Sequence, residues 1–203
     1  MDATDWDERY RTDELIWSAE ANRFVEAETA ALTPGRALDL AAGEGRNSVW
    51  LASRGWQVTA VDFSEVGLEK GRKLADRAGV GDRVEWVHAD VRHWAPPPGG
   101  YDLVVIAYLQ IPAGELDPVL ASASAALAPG GKLVVVGHDV TNLDGGVGGP
   151  QDPAVLYRPE TVGAALAAAG LSVTSAETVE RPTPKGTALD TLVTATQEKG
   201  RVP

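Results

Sequence analysis

Leu38-Asp39-Leu40-Ala41-Ala42-Gly43-Glu44-Gly45-Arg46-Asn47 is the stretch on which the fold turns. An apolar strand (Ala37, Leu38, Leu40) runs into small residues, and a helix opens at Asn47-Ser48-Val49-Trp50-Leu51-Ala52. Gly43 and Gly45 carry no side chain, so a ligand can approach the backbone of this turn. A second apolar strand, Trp56-Gln57-Val58-Thr59-Ala60-Val61, ends in Asp62, nineteen residues past Gly43. That spacing suits an acid that accepts hydrogen bonds from ribose hydroxyls. Strand, turn, helix, strand and acid together make a unit built to hold an adenosine.

Outward from this unit, strand and helix patterns alternate. Strands are expected near 36–41, 57–62, 83–88, 101–107, 132–138, 171–180 and 187–196, and helices near 45–54, 65–78, 116–127 and 159–169. Such alternation implies an α/β fold, a mostly parallel sheet with helices on both faces. Only Pro182-Thr183-Pro184-Lys185-Gly186 separates the last two strands, too little for a crossover, so they form an antiparallel hairpin. Residues 1–34 are polar and aromatic with helical spacing, and read as an N-terminal cap with helices near 4–12 and 17–32, closed by Pro34-Gly35. The chain is expected to be one domain, 1–203, with this cap and a core over 35–203. The stretch Asp144-Gly145-Gly146-Val147-Gly148-Gly149-Pro150 is too glycine-rich for a regular element. A flexible loop is expected over 140–157, either a substrate lid or a plain connector, leaving the carboxyl end of a central strand where open sheets bind ligands.

The composition narrows the function. With 29 acids against 18 bases, the formal net charge is −11. A polyanion is repelled on average, because nucleic-acid affinity comes mostly from Lys and Arg on phosphates. The densest basic stretch, Lys70-Gly71-Arg72-Lys73 with Arg77, sits on one helix expected to face solvent. A small-molecule substrate is expected, with no nucleic acid and no membrane, since no apolar run approaches ~20 residues. There is no cysteine, which removes disulfides, thiolate metal sites and cysteine nucleophiles. Three histidines (His88, His93, His138) without His-x-x-x-His spacing give no reason to expect a metal. The acidic start, without a basic residue followed by an apolar stretch, does not read as a signal peptide. The protein is expected to be cytoplasmic, as a monomer or homodimer.

The glycine turn alone also fits a dinucleotide, although Ser48 stands where the third glycine would fall. Three further features point elsewhere. Asp39 precedes Gly43 by four residues; Val87-His88-Ala89-Asp90-Val91 puts an acid after a third strand; and Pro129-Gly130-Gly131 stands before a very apolar strand. Together, over roughly residues 36–140, these resemble the class I S-adenosylmethionine-dependent methyltransferases. Of that family's D-x-G-x-G-x-G motif, Asp39, Gly43 and Gly45 match, while Ala41 replaces the first glycine, a change expected to need only slight local adjustment. The Asp39–Asn47 stretch with Trp50-Leu51-Ala52, and the N-terminal Trp6-Asp7-Glu8-Arg9-Tyr10 and Trp17-Ser18-Ala19-Glu20-Ala21-Asn22, look closest to small-molecule methyltransferases of the tellurite-resistance and thiopurine type. The resemblance implies a Rossmann-like seven-stranded sheet of order 3-2-1-4-5-7-6, and S-adenosylmethionine as cofactor.

It also implies roles. Ala41, Gly43 and Gly45 would lie against the methionine half of the cofactor. Arg46, opening a helix whose free N–H groups favour an anion, would reach the carboxylate, or is an exposed helix charge. Asp39 would accept from the ammonium, or caps its own turn. Asp62 would take both ribose hydroxyls. Ser64 suits the N-cap of the following helix and lies in the cofactor-binding set. Phe63 would pack on adenine or belong to the core. Asp90 would bond the adenine amino group or cap the turn before Arg92, and Val91 would offer backbone N–H to the ring. Ala107 ends the fourth strand, and Tyr108 after it is a pocket wall or a base. His138 ends the fifth strand; its usual pKa of about 6.5 suits base work near neutrality, the alternative being a polar strand-end residue bonded to Asp139 or the lid. Trp17, with Trp6 and Tyr10, would cover the sulfonium or pack on the sheet. Two other functions stay open, an NAD-dependent oxidoreductase and a non-catalytic cofactor-binding module.

Overall fold

The structure, a computed structural model, describes residues 3–12 and 14–200; residues 1, 2 and 13 of the expected cap lie outside them. Contacts divide the chain into two units, 1–95 and 96–203. The first contains α1 (Ala3–Tyr10), α2 (Arg23–Thr29), β1 (Arg36–Leu40), α3 (Arg46–Ser53), β2 (Gln57–Asp62), α4 (Glu65–Arg77) and β3 (Val84–His88). β1 pairs parallel with β2, and β2 with β3, so that Asp39 lies opposite Ala60 and Asp62 opposite His88. The second contains β4 (Tyr101–Ala107), α5 (Ala113–Ala125), β5 (Leu127–His138), α6 (Pro159–Ala168), β6 (Ser172–Thr183) and β7 (Gly186–Thr196). β4 and β5 are parallel, and β7 runs antiparallel to both β5 and β6. The strands make one seven-stranded sheet of order β3-β2-β1-β4-β5-β7-β6, the order and hairpin that were expected.

Burial follows from this order. Leu103 to Ile106 in β4 and Leu133 to Val136 in β5 are fully buried without alternation, as strands covered on both faces must be. At the sheet edge, β6 is mostly exposed and carries Thr, Glu and Arg, which blunts pairing with another chain.

Four local expectations change. The helix read over 17–32 begins only at Arg23, because the Asn22 side chain accepts from the N–H groups of Phe24 and Val25 and caps it there. β5 starts at Leu127 rather than 132: Tyr101 pairs with Leu127 but Leu103 with Lys132, so residues between them bulge at the Pro129-Gly130-Gly131 turn. The loop 140–157 is not a bare glycine hinge. Two short 3₁₀ turns, Val140–Asp144 and Pro153–Val155, form in it, and Asp139 bridges to Tyr157. Polar side chains do this work: Asn142 donates to the Gly148 carbonyl at 2.9 Å and accepts from the Leu189 N–H at 2.8 Å. Finally, Ala41 does not adjust its backbone away from the glycine conformation. It keeps φ +59°, a left-handed geometry that costs a residue with a Cβ about 1–2 kcal/mol.

Candidate functional site

In the first unit, the turn after β1 places Ala41, Gly43 (φ +56°) and Gly45 (φ +75°) in the left-handed region in alternation. Two aromatics fill the space the glycines leave. A Cβ on Gly45 would come within 2.4 Å of the Trp86 ring, and one on Gly43 within 2.8 Å of the Tyr10 hydroxyl. Gly45 is therefore required for packing inside the unit as well as for any ligand. Trp86 belongs to β3, whereas Tyr10 ends α1.

Asp39 is fully buried at the end of β1. Its Oδ2 accepts from the Ser48 hydroxyl at 2.6 Å, while Oδ1 is buried without a hydrogen-bond partner. Burial, opposed only in part by the Ser48 bond, pushes its carboxyl up to about 7. Asp62 is also buried, and each of its oxygens holds a backbone N–H at 2.8 Å, from Gly43 and from Ser64. Burial raises its pKa, and these two bonds oppose the rise. Asp62 thus ties the glycine turn to the start of α4 and keeps one lone pair on each oxygen for a further donor. The Ser64 hydroxyl caps α4 by accepting from Gly67 N–H at 3.1 Å and donates to Asp7 of α1 at 2.5 Å.

Asp90 holds Arg92 through both carboxylate oxygens and accepts from its backbone N–H. That side-chain bond leads the effects that lower its pKa. Val91 is buried beside it, and Phe63 is half-buried with its carbonyl bonded to His88 Nε2 at 2.9 Å. Arg46 begins α3, where its charge acts on Asp39. Trp17 is 38% exposed, and Arg9 lies over the rings of both Trp17 and Trp6.

Glu44, given no role from the sequence, is 2% exposed and holds the segment before α2. Its two oxygens accept from the backbone N–H of Ile16 and Trp17, each at 3.1 Å, and Lys70 of α4 pairs with it at 3.0 Å. Lys70 also donates to Thr12 Oγ1 and to the Glu14 carbonyl. Residues 12 and 14–17 are thereby strapped onto the glycine turn and α4, and Tyr10, 5% exposed, is held against Gly43.

In the second unit, Ala107 ends β4 and Tyr108 follows with φ +60°, an outlier for a bulky residue and of the kind found at functional sites. Its N–H donates to the Val136 carbonyl at 2.7 Å, which holds the strained geometry. The hydroxyl donates to Oδ2 of Asp190, a fully buried acid of β7, at 2.7 Å. Arg181 of β6 donates to the same oxygen through Nε at 2.6 Å. His138 Nδ1 lies 3.2 Å from Asp190 Oδ1, within ion-pair distance but misaligned for a full hydrogen bond. Burial would raise the Asp190 carboxyl, yet His138, Arg181 and Tyr108 together outweigh it and hold the pKa below the usual range. His138 does not bond to Asp139. That acid is filled by Thr141 N–H and the hydroxyls of Thr141, Thr178 and Thr191, so it organises the loop instead. Gln110 accepts from the His138 N–H at 2.8 Å and donates to the Val155 carbonyl. Sequence reading brought out Tyr108 and His138 but not Asp190 or Arg181. The available signal was an acid inside the apolar run Ala188-Leu189-Asp190-Thr191-Leu192-Val193.

Residues 37–131 match a family described as "Methyltransferase domain". A demethylmenaquinone methyltransferase of Clavibacter sepedonicus is 38% identical over 132 residues, 62% of this chain and 51% of the relative. Among solved structures, an S-adenosylmethionine-dependent methyltransferase from Aquifex aeolicus superposes with a TM-score of 0.69 at 19% identity, over 97% of this chain and 98% of that one. The Burkholderia thailandensis 1,6-didemethyltoxoflavin-N1-methyltransferase, with 1,6-didemethyltoxoflavin and S-adenosylhomocysteine bound, gives a TM-score of 0.66 at 22% identity, over 86% and 75% of the two chains. Residues 37–131 thus match a methyltransferase domain, and the sheet order is that of a fold shared with solved S-adenosylmethionine-dependent methyltransferases. Its matched part spans about half the length of the curated relatives. Among the described residues, no helix is long and apolar enough to cross a membrane.

Proposed function

We propose that the protein is an enzyme that transfers a methyl group from S-adenosylmethionine to a small-molecule acceptor. The observation that carries this reading is Asp39 Oδ1, buried without a partner beside the left-handed turn. A cation there would satisfy the oxygen and return the raised carboxyl toward its ordinary range. The amino-acid end of the cofactor offers such a cation. The bound sulfonium supplies an electrophilic methyl group and leaves as S-adenosylhomocysteine.

The chain's own residues hold and orient. Asp39, Ala41, Gly43, Gly45 and Arg46 take the methionine half, and Asp62 the ribose through its remaining lone pairs. Phe63, Asp90 and Val91 take the adenine, with Ser64 fixing the helix start behind them. Trp17 and Ala107 complete the cofactor's surroundings, while Tyr108 and His138 serve the acceptor. Positioning of both reactants can account for roughly 7–11 kcal/mol of the barrier. Aromatic quinone-type acceptors are the first to try, since the relatives at 34–38% identity are demethylmenaquinone and ubiquinone/menaquinone methyltransferases. The protein acts in the cytoplasm as a monomer or homodimer, without nucleic acid or membrane partners; its charge of −11 supports the former absence.

Titration calorimetry tests the cofactor. S-adenosylhomocysteine binds and NADH does not, and Asp62→Ala weakens binding at least tenfold, which is ~1.4 kcal/mol. Unchanged affinity in that variant defeats the assignment, and NADH binding in its place would turn the reading to an oxidoreductase. Binding without turnover of any acceptor would leave a cofactor-binding module.

A further inference from the structure

The geometry points to Asp190 as a positioning residue that fixes the tautomer of His138, making its Nε2 a proton acceptor for a substrate whose nucleophilic atom carries a proton. This rests on the methyltransferase reading for its role in turnover, but not for its geometry. Nδ1 of His138 is buried and lies 3.2 Å from Asp190 Oδ1, while the side chain as a whole keeps 15% of its surface exposed. The exposed part is therefore the remainder of the ring. A proton on Nδ1 faces a carboxylate; a bare Nδ1 lone pair would face the same negative charge at the same distance and be repelled. The carboxylate thus selects the Nδ1–H form and leaves the Nε2 lone pair as the basic site.

The rest of the cluster keeps both partners from turning. Asp190 is fully buried, and its other oxygen is clamped by Tyr108 at 2.7 Å and by Arg181 at 2.6 Å. The imidazole is wedged between the Tyr108 ring, whose centroid is 4.9 Å away, and Gly149, where a Cβ would come within 2.9 Å of the ring. Gly149 has φ +77°, so the loop can lie this close only with glycine there. The groups facing His138 are Asp190 from β7 and Tyr108 from the end of β4, with Arg181 of β6 donating to both Asp190 oxygens, to Oδ2 at 2.6 Å and to Oδ1 at 3.4 Å.

The proton balance is simple. Nε2 takes the acceptor's proton and becomes imidazolium beside Asp190, the electron pair left on the acceptor accepts the methyl group, and the proton passes to solvent. This defines the substrate class as phenols, enols or comparably acidic C–H compounds. A thiol that ionises unaided would not need the dyad.

Nitrogen-15 NMR of the full chain labelled at histidine tests the geometry, with the His138 signals assigned from their loss in His138→Gln. The wild type should show Nδ1–H with a bare Nε2, and Asp190→Asn should convert most of the population to Nε2–H. A wild-type Nε2–H spectrum overturns the proposal without any variant, so a misfolded Asp190→Asn would not shield it. An unchanged tautomer in a folded Asp190→Asn does the same. In turnover, Asp190→Asn should lower kcat on phenolic acceptors at least 100-fold, with KM for S-adenosylmethionine within threefold and activity on a self-ionising thiol within threefold. Equal loss on both acceptor types overturns the proton-acceptor role. Failure of the methyltransferase reading would appear separately, as absence of S-adenosylhomocysteine binding by the wild type, with the NMR result still standing.

Discussion

Asp39 in the first unit and Asp190 in the second are both fully buried acids, yet they are bonded in opposite ways. Asp39 has one hydroxyl on one oxygen, nothing on the other, and a carboxyl pushed up to about 7. Asp190 is gripped by Arg181 and Tyr108 with His138 alongside, and its carboxyl is held down. Asp139, 1% exposed in the second unit, resembles Asp190, with four donors on its two oxygens. Burying a charge is tolerable only when partners compensate. An acid that the protein compensates itself is part of the scaffold or orients a neighbour. An acid left under-compensated is one that a ligand completes.

The sharpest way to break this contrast is to remove an acid from each side and compare the signs. Asp139→Ala strips the partner from four donors and should destabilise the protein by ~4 kcal/mol in urea unfolding, with faster amide exchange across 140–157. A loss below 1 kcal/mol would mean the loop does not depend on it. Because bonds from Thr141, Thr191 and Thr178 hold this carboxyl below its usual range against burial, its contribution is present above that range and fades as pH falls through the lowered value.

Asp39→Asn should act in the other direction. In the wild type the folded carboxyl stays protonated up to about 7, whereas the unfolded one ionises near 4. Stability without cofactor therefore falls as pH rises across that window and is flat above it. The full penalty is roughly 4 kcal/mol, and a buried unpaired amide would cancel about half, so the variant should gain ~2 kcal/mol at pH 8 and lose ~2 kcal/mol at pH 3, where the wild-type acid carries no penalty. It should also lose cofactor affinity. Urea titrations at the two pH values check the first point, and a variant less stable than wild type at pH 8 would show that Asp39 is already compensated.

The smallest effect tests strain alone. Ala41→Gly relieves a Cβ at φ +59° but adds freedom to the unfolded chain, for a net gain of about 0.5–1 kcal/mol. A thermal melt that moves down instead would place the strain elsewhere.

The two units also differ in how far they could be read from sequence. The first is built from neighbours along the chain: Asp39, the glycines and Asp62 sit at fixed offsets around one strand-turn-helix-strand unit, so spacing alone located them. The acids of the second unit meet their partners only through strand register. Asp190 is opposite His138 across β5 and β7, and reaches Arg181 across β6 and β7. An irregularity in β6 shifts its register with β7, and no local pattern announces it. The same limit hid Glu44, whose partners lie 26 to 28 residues away. The loop 140–157 is only partly legible for a related reason: its glycines are visible in sequence, but the side chains that fasten it find partners on another strand.

The strap over the glycine turn has one more implication. Glu44 holds it by the main-chain N–H groups of Ile16 and Trp17, and Lys70 by the carbonyl of Glu14. Such a grip is blind to which side chains stand at those positions. Residues 14 and 16 can mutate without loosening the fastening. This short stretch is thus a place where an outer face can diversify over evolutionary time while the machinery beneath it stays fixed.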